Sequence, residues 1–347
     1  MYLRVALSAG RVINFPGQMR TDLRDRIFNI KGQTDFLKIA LEVFSYQYDK
    51  NAVYQDFITS LGKNHDAVKT PDGIPFLPVE FFRNHKIVTG DLPVEMIFET
   101  SGTTGVAPGK HFVNDLSLYE ESFLKTFSLF YGDPGEYLIF ALLPSYTDRE
   151  GSSLVYMADK LIERSLHPLS GFYKGNIEDL LKAIRKAKTG DQKILLLGVS
   201  FTLLDLAEKQ STDLSGVIVM ETGGMKGRRK ELTRLELHTI LKEKFNVTSI
   251  HSEYGMTELM SQAYSKGEGI FYCPPWMKVI IRDPQDPLTL YTGTGKTGGI
   301  NIIDLANINS CSFIATGDLG RLHEDGGFEV LGRFDNSDIR GCNLLVE

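Results

Sequence analysis

From about Met96 the chain alternates short, almost wholly apolar runs with longer amphipathic stretches, and few folds tolerate that rhythm. MIFET is followed by DLSLYEESFLKTFSLF, YLIFALL by SSLVYMADKLIE, IEDLLKAIRKA by KILLLGV, and GVIVMET by ELTRLELHTILKEKF. The short runs have strand length and the stretches between them carry helical spacing, so the pattern predicts an α/β fold with sheets layered by helices. Near Trp276 the texture changes to KVIIRD, GGINIIDL, SFIAT and GRLHEDGGFEVLG, which predicts a small C-terminal β-rich portion. Asp325-Gly326, between alternating residues, is a hairpin turn signal.

Upstream, DFLKIALEVFSYQYDKNAVYQDFITSLG places Phe36, Ile39, Leu41, Val43 and Phe44, then Val53, Phe57 and Leu61, at helical spacing, which predicts two helices. Pro71, Pro75 and Pro78 make the next segment an extended connector, with a boundary near Gly90. The expected organisation is a mobile or extraneous start over 1–34, a helical segment over 35–90, an α/β domain over 91–335, and a tail over 336–347 that carries Cys342.

Composition narrows the function classes. With 42% hydrophobic residues the chain has material for a sizeable core, and its 38 basic and 44 acidic side chains give a net charge of −6 without long runs of one sign. Nucleic acid is therefore not an expected partner. No stretch reaches the roughly 18 apolar residues of a membrane span, so no integral membrane segment is expected. Cys273, Cys311 and Cys342 form neither a CxxC pair nor a zinc-like cluster, which points to a reducing cytoplasm.

Five segments carry chemistry. Ser101, Gly102, Thr103, Thr104 and Gly105 lie after an apolar run and before a predicted helix, with Lys110 and His111 close behind. Glycines let successive N–H groups converge on a polyanion, so this is a candidate phosphate cradle, against the alternative of a solvated loop. Gly293-Thr294-Gly295-Lys296-Thr297 resembles the end of a P-loop, but Leu290 stands where that motif needs glycine, and the segment reads as a turn. Gly223, Gly224 and Met225 follow the strand-like VIVM at an expected sheet edge, where α/β proteins bind ligands. Tyr254, Gly255, Thr257 and Glu258 follow the strand-like VTSI, and Glu258 is a hard oxygen ligand suited to Mg²⁺. Asp318 and Arg333 flank the hairpin with a carboxylate and a guanidinium.

The order TSGTTG, GG, EYGMTE, TGD and GR-x-D resembles the core motifs of the adenylate-forming superfamily of acyl-CoA synthetases, adenylation domains and luciferases. FLPVEFF, TSGTTGVAPGKHFVND, PSYTDREGSSLVYM and RGCNLLVE are similar to the LuxE-type acyl-protein synthetases, and the resemblance runs from about Asp35 to the end. It implies the N-terminal-domain fold of that superfamily. It implies activation of a fatty or other carboxylic acid by ATP to an acyl-adenylate, then transfer to a cysteine thiol as a thioester. Delivery to a partner such as an acyl reductase or carrier protein is implied as well.

By the same resemblance Ser101, Thr103, Thr104 and Lys110 hold the triphosphate, and Gly223, Gly224 and Met225 line the adenine and acyl pocket. Tyr254 flanks the base, Thr257 the α-phosphate, Glu258 binds Mg²⁺, and Asp318 holds the ribose with Arg333 beside it. Cys342 is the candidate acyl acceptor, and His111 is read as touching phosphate or deprotonating the thiol. Two departures stand out. The small mobile domain of about a hundred residues, whose lysine assists adenylation, does not fit into 336–347, and Lys110 sits in APGK rather than PK. A CoA or carrier-protein ligase and a non-catalytic nucleotide- or acyl-binding subunit are the alternatives.

Overall fold

The run Tyr137–Leu142 is buried at every position, a condition met by a strand only when both faces of its sheet are covered. A computed structural model, which describes residues 16–100, 107–144, 151–173, 175–209, 212–223 and 232–334, with side chains from Asp22 onward, shows how this is achieved. In chain order the elements are α1 (Pro16–Ile27), α2 (Gln33–Lys50), α3 (Ala52–Ser60), β1 (Leu77–Pro78), α4 (Phe81–Asn84), β2 (Met96–Glu99), β3 (Lys110–Val113) and α5 (Leu116–Tyr131). Then come β4 (Tyr137–Leu142), α6 (Ser153–Ser165), β5 (Gly171–Phe172), α7 (Ile177–Ala187), β6 (Lys193–Val199), α8 (Ser200–Lys209), β7 (Val217–Thr222) and α9 (Arg234–Phe245). The last strands are β8 (His251–Tyr254), β9 (Ala263–Ser265), β10 (Ile270–Phe271), β11 (Met277–Arg282), β12 (Thr297–Asp304), β13 (Phe313–Leu322) and β14 (Phe328–Arg333).

One sheet has the order β5-β4-β6-β7-β8-β9, parallel except for the final pair. Alternate strand residues face opposite sides. Leu138, Phe140, Leu196 and Val219 pack with Leu180, Leu203 and Leu241 of α7, α8 and α9, while Ile139, Ala141, Leu197 and Met220 join the cluster containing Phe123, Phe127 and Tyr156 of α5 and α6. Local signals set the helix starts: Asp115 accepts from Leu118 N at the head of α5, and Thr233 with Glu236 forms a capping box on α9. The second sheet, β10-β14-β13-β12-β11, is antiparallel, with β1 added in parallel to β13. Gly326, at φ +86°, makes the turn between β13 and β14. Gly293 and Gly295 likewise have positive φ in the turn that leads into β12, so the P-loop-like segment ends in a strand and not a helix.

Three expectations need correction. Within the stretch read as a mobile or extraneous start, residues 16–27 form α1, and Leu23 and Ile27, one turn apart, are fully buried. Arg24 pins this helix to Asp115 and Glu121 of the α5 region. The expected boundary near Gly90 is not a break in the core either. Gln47 donates to the carbonyls of Asn307, Ile308 and Ser310 and accepts from Ser312 N, and residues from Leu23 to Phe328 share one apolar cluster. Finally, the element after the glycine-rich loop is a strand. β3 pairs antiparallel with β2 in the register Glu99 to Lys110, and α5 starts only after it.

Candidate active site

The β2–β3 hairpin brackets the glycine-rich loop. Thr100 N donates to Gly109 O at 3.0 Å and Gly109 N to Thr100 Oγ1 at 2.8 Å, which fixes the root of the loop. Ser101, Gly102, Thr103, Thr104 and Gly105 lie outside the described residues. Lys110 stands at this root, cross-strand from Glu99 and 3.4 Å from its carboxylate, with both side chains about half exposed.

Glu258 reaches the same root. A Cβ on Gly109 would stand 2.9 Å from Glu258 Oε1, so glycine there admits the carboxyl group. Burial pushes that carboxyl up to about 7, with Arg333 and Arg83 acting in the opposite sense. Among the described residues no cation lies within ion-pair distance of it. A buried hard-oxygen donor with no ion-pair partner among the described residues, beside the root of the Ser/Thr/Gly loop, has the chemistry to hold Mg²⁺, which is commonly bound by one or two carboxylates together with substrate phosphates. Among the described residues no cluster of three or more His, Cys, Asp or Glu is placed to hold a metal.

The backbone carrying Glu258 is fixed from below. His111 Nδ1 donates to Thr257 O at 2.9 Å and Asn307 Nδ2 to Glu258 O at 2.7 Å. His111 is 1% exposed and packs edge-on against Phe82. Burial pushes the ring down to about 4, so it is neutral near pH 7. His111 is buried with its Nδ1 engaged, so the reading of it as a phosphate contact or thiol base needs correction: what it does in the fold is hold the Thr257–Glu258 backbone. Thr257 itself is half-buried.

The two sheets meet at Tyr254. Its hydroxyl donates to Asp318 Oδ2 at 2.8 Å, and its ring packs edge-on against Phe271 and Phe328. Asp318 is opposite Arg333 in the β13–β14 register, with Arg333 Nε 3.3 Å from Asp318 Oδ1. The structure thus brings together Tyr254, Gly255, Thr257, Glu258, Asp318, Arg333 and the root of the glycine-rich loop. His251 begins β8, so the residues that lead into Gly255 are strand.

At the end of β7, Gly223 has φ +67°, and its carbonyl accepts from Ser200 Oγ at 2.7 Å. Gly224 and Met225 lie outside the described residues, as does Cys342. Cys273 is half-buried and Cys311 buried, and burial pushes both thiols up to about 12, unsuited to nucleophilic attack at neutral pH.

Sequence reasoning missed a set of buried polar residues at the carboxyl ends of β7 and β8. Glu221 accepts from Ser200 Oγ (2.8 Å) and Arg234 Nε (3.2 Å), with His238 Nε2 at 3.5 Å. On the next rung, Glu253 accepts from Thr222 Oγ1. The available signal was an acidic residue at the penultimate position of two strands, in VIVMET and in HSEY.

No family model matches the chain. A long-chain-fatty-acid–luciferin-component ligase of Vibrio harveyi is 24% identical over 327 residues, covering 87% of this chain and 85% of that protein. Among solved structures, a 2-hydroxyisobutyryl-CoA ligase bound to 2-HIB-AMP and CoA superposes with a TM-score of 0.61 at 14% identity, over 92% of this chain and 69% of the other. ATP-bound MatB of Rhodopseudomonas palustris gives a TM-score of 0.51 at 17% identity, over 69% of this chain. The chain spans about half the length of MatB (48%). The chain thus has the fold of the adenylate-forming enzymes and is similar, over most of its length, to a fatty-acid ligase of the kind its motifs resemble.

Proposed function

We propose that the chain activates a carboxylic acid with ATP and passes the acyl group to the Cys342 thiol as a thioester, for delivery to a partner such as an acyl reductase or carrier protein. The observation that carries this reading is the placement of the Glu258 carboxyl against Gly109, at the root of a Ser/Thr/Gly loop and four residues beyond Tyr254. The fold alone does not assign an activity. It is the chemistry of these groups that supports one.

In the proposed reaction a substrate carboxylate oxygen attacks the α-phosphorus of ATP, the bond to the bridging oxygen breaks, and pyrophosphate leaves. Two anions must approach one another, so cations and N–H donors have to be in place beforehand. Lys110 and the loop Ser101–Gly105 would hold the phosphates, and Thr257 the α-phosphate. Mg²⁺ at Glu258 would supply charge neutralisation. Asp318, fixed by Tyr254 and Arg333, would accept from the ribose hydroxyls, while Gly223, Gly224 and Met225 would line the base and acyl pocket. Attack of the Cys342 thiolate on the acyl carbon then expels AMP and forms the thioester. The site is assigned to 91–335 and the acceptor to the tail 336–347, in a cytoplasmic protein.

The test is incubation with ATP, Mg²⁺ and labelled fatty acids, comparing the native chain with Cys342→Ala. ATP-dependent label that hydroxylamine removes and that Cys342→Ala abolishes is the expected result. Label insensitive to Cys342→Ala, or acyl transfer to added CoA alone, would overturn the acceptor assignment. Absence of pyrophosphate release with every acid would overturn the activation step.

A further inference from the structure

Gly255 is exposed, yet the space a side chain would fill there is already taken. A Cβ at that position would stand 2.5 Å from Glu253 Oε1 and 3.5 Å from Gln262 Cγ. Both residues are more than nine-tenths buried, Glu253 at 7% and Gln262 at 3% exposure, and they converge on the Gly255 backbone from β8 and from the residue preceding β9. Thr222 occupies the other Glu253 oxygen. Gln262 Oε1 has no hydrogen-bond partner, and no cation among the described residues pairs with Glu253. The neighbouring Tyr119 hydroxyl is already donated to Ser153 O.

We propose that Glu253 and Gln262 form a polar subsite beside Gly255 that takes a hydrogen-bond donor, a hydroxyl or an amine, carried on the chain of the carboxylic acid. This rests on the acid-activating function proposed above and specifies its substrate class. Leaving a buried oxygen unpaired is costly, and a plain hydrocarbon chain passing Gly255 leaves that cost in place. A donor-bearing chain removes it. The exposed Gly255 backbone gives such a chain its access, and Gly223 at the end of the neighbouring strand borders the same sheet end.

The test is ATP–pyrophosphate exchange on the full chain with matched acids of equal length: unsubstituted, hydroxylated and aminated. The expected result is a kcat/KM at least about tenfold higher for one substituted acid than for the plain one, because a site built to bond a polar group discriminates against its absence. The hydroxyl and amine arms decide which donor is meant. Gln262→Leu should lower that ratio about tenfold or bring it to one, without lowering the melting temperature, since it deletes an unpaired oxygen. Glu253→Gln, which keeps the shape, should reduce the aminated arm more than the hydroxylated one. Equal or better exchange with the plain acid, or an unchanged ratio in a folded Gln262→Leu protein, overturns the subsite and leaves acid activation standing. No exchange and no calorimetric binding with any acid overturns acid activation, and the subsite with it.

Discussion

Glu221 and Glu253 sit at the carboxyl ends of neighbouring strands, both buried, yet the two faces of the sheet treat them oppositely. Burial alone would raise Glu221, but His238, Arg234, Ser252 and Ser200 outweigh it and hold the carboxyl below its ordinary range. On the other face Glu253 has only Thr222, and burial, reinforced by the charge of Glu221, pushes it up to about 7. Depth does not decide charge here. The number of donors on each face does.

The comparison can be broken most forcefully at Glu221. Glu221→Ala leaves Arg234 and His238 without their carboxylate, and loss of one partner from a buried charged cluster should destabilise by about 3 kcal/mol or more in denaturant unfolding. A loss under about 1 kcal/mol would show that the face is not held together by charge.

Glu253 is expected to act in the reverse direction. Its folded-state value lies above the ordinary 4.5, so between pH 4.5 and about 7 the folded chain binds more protons than the unfolded one, and stability falls as pH rises through that window. Glu253→Gln should flatten that slope and make the protein more stable at pH 8, by on the order of 2 kcal/mol. Melting curves across the window decide it, and an unaltered slope refutes the assignment.

Glu258 is pushed up in the same way and to a similar value, but it faces the loop root rather than the sheet. Mg²⁺-ATP should raise the melting midpoint of the native chain, equivalent to about 1–3 kcal/mol at saturating ligand, and should do so much less in Glu258→Gln. An equal rise in both proteins would remove Glu258 from the metal site.

The smallest effect is expected at Arg333, whose side chain is 84% exposed beside Asp318. Arg333→Ala should cost under about 1 kcal/mol of stability, while weakening ATP binding if Asp318 holds the ribose. Loss of stability comparable to that of Glu221→Ala would contradict the contrast between paired, buried charge and exposed charge.

Much of this organisation was legible in the residue order. The parallel strands announced themselves as short apolar runs, the β13–β14 hairpin by Asp325-Gly326, and the proximity of Asp318 to Arg333 by the motifs on either side of that turn. What escaped depended on contacts distant in sequence. Leu23 and Ile27 look like two apolar residues in a charged segment until Arg24 is seen to meet Asp115 and Glu121. His111 follows a lysine in a polar segment, and only its pairing opposite Phe98 shows that it points inward. Glu253 and Gln262 both come against Gly255 because β8 and β9 are antiparallel neighbours, a fact no local pattern carries.

The bonds from Gln47 and Asn51 to the 307–312 segment, spanning about 260 positions, and the pairing of β1 with β13 bear on how the chain is made. Helices α2 and α3 leave the ribosome long before the backbone that satisfies their buried amides exists. At synthesis rates of about 5–20 residues per second, the delay is about ten to fifty seconds. Through that interval Phe36, Val43 and Phe44, buried in the finished protein, have no partners from the antiparallel sheet. Helices α2 and α3 therefore keep their apolar faces uncovered until the antiparallel sheet is made, and that sheet is what closes them.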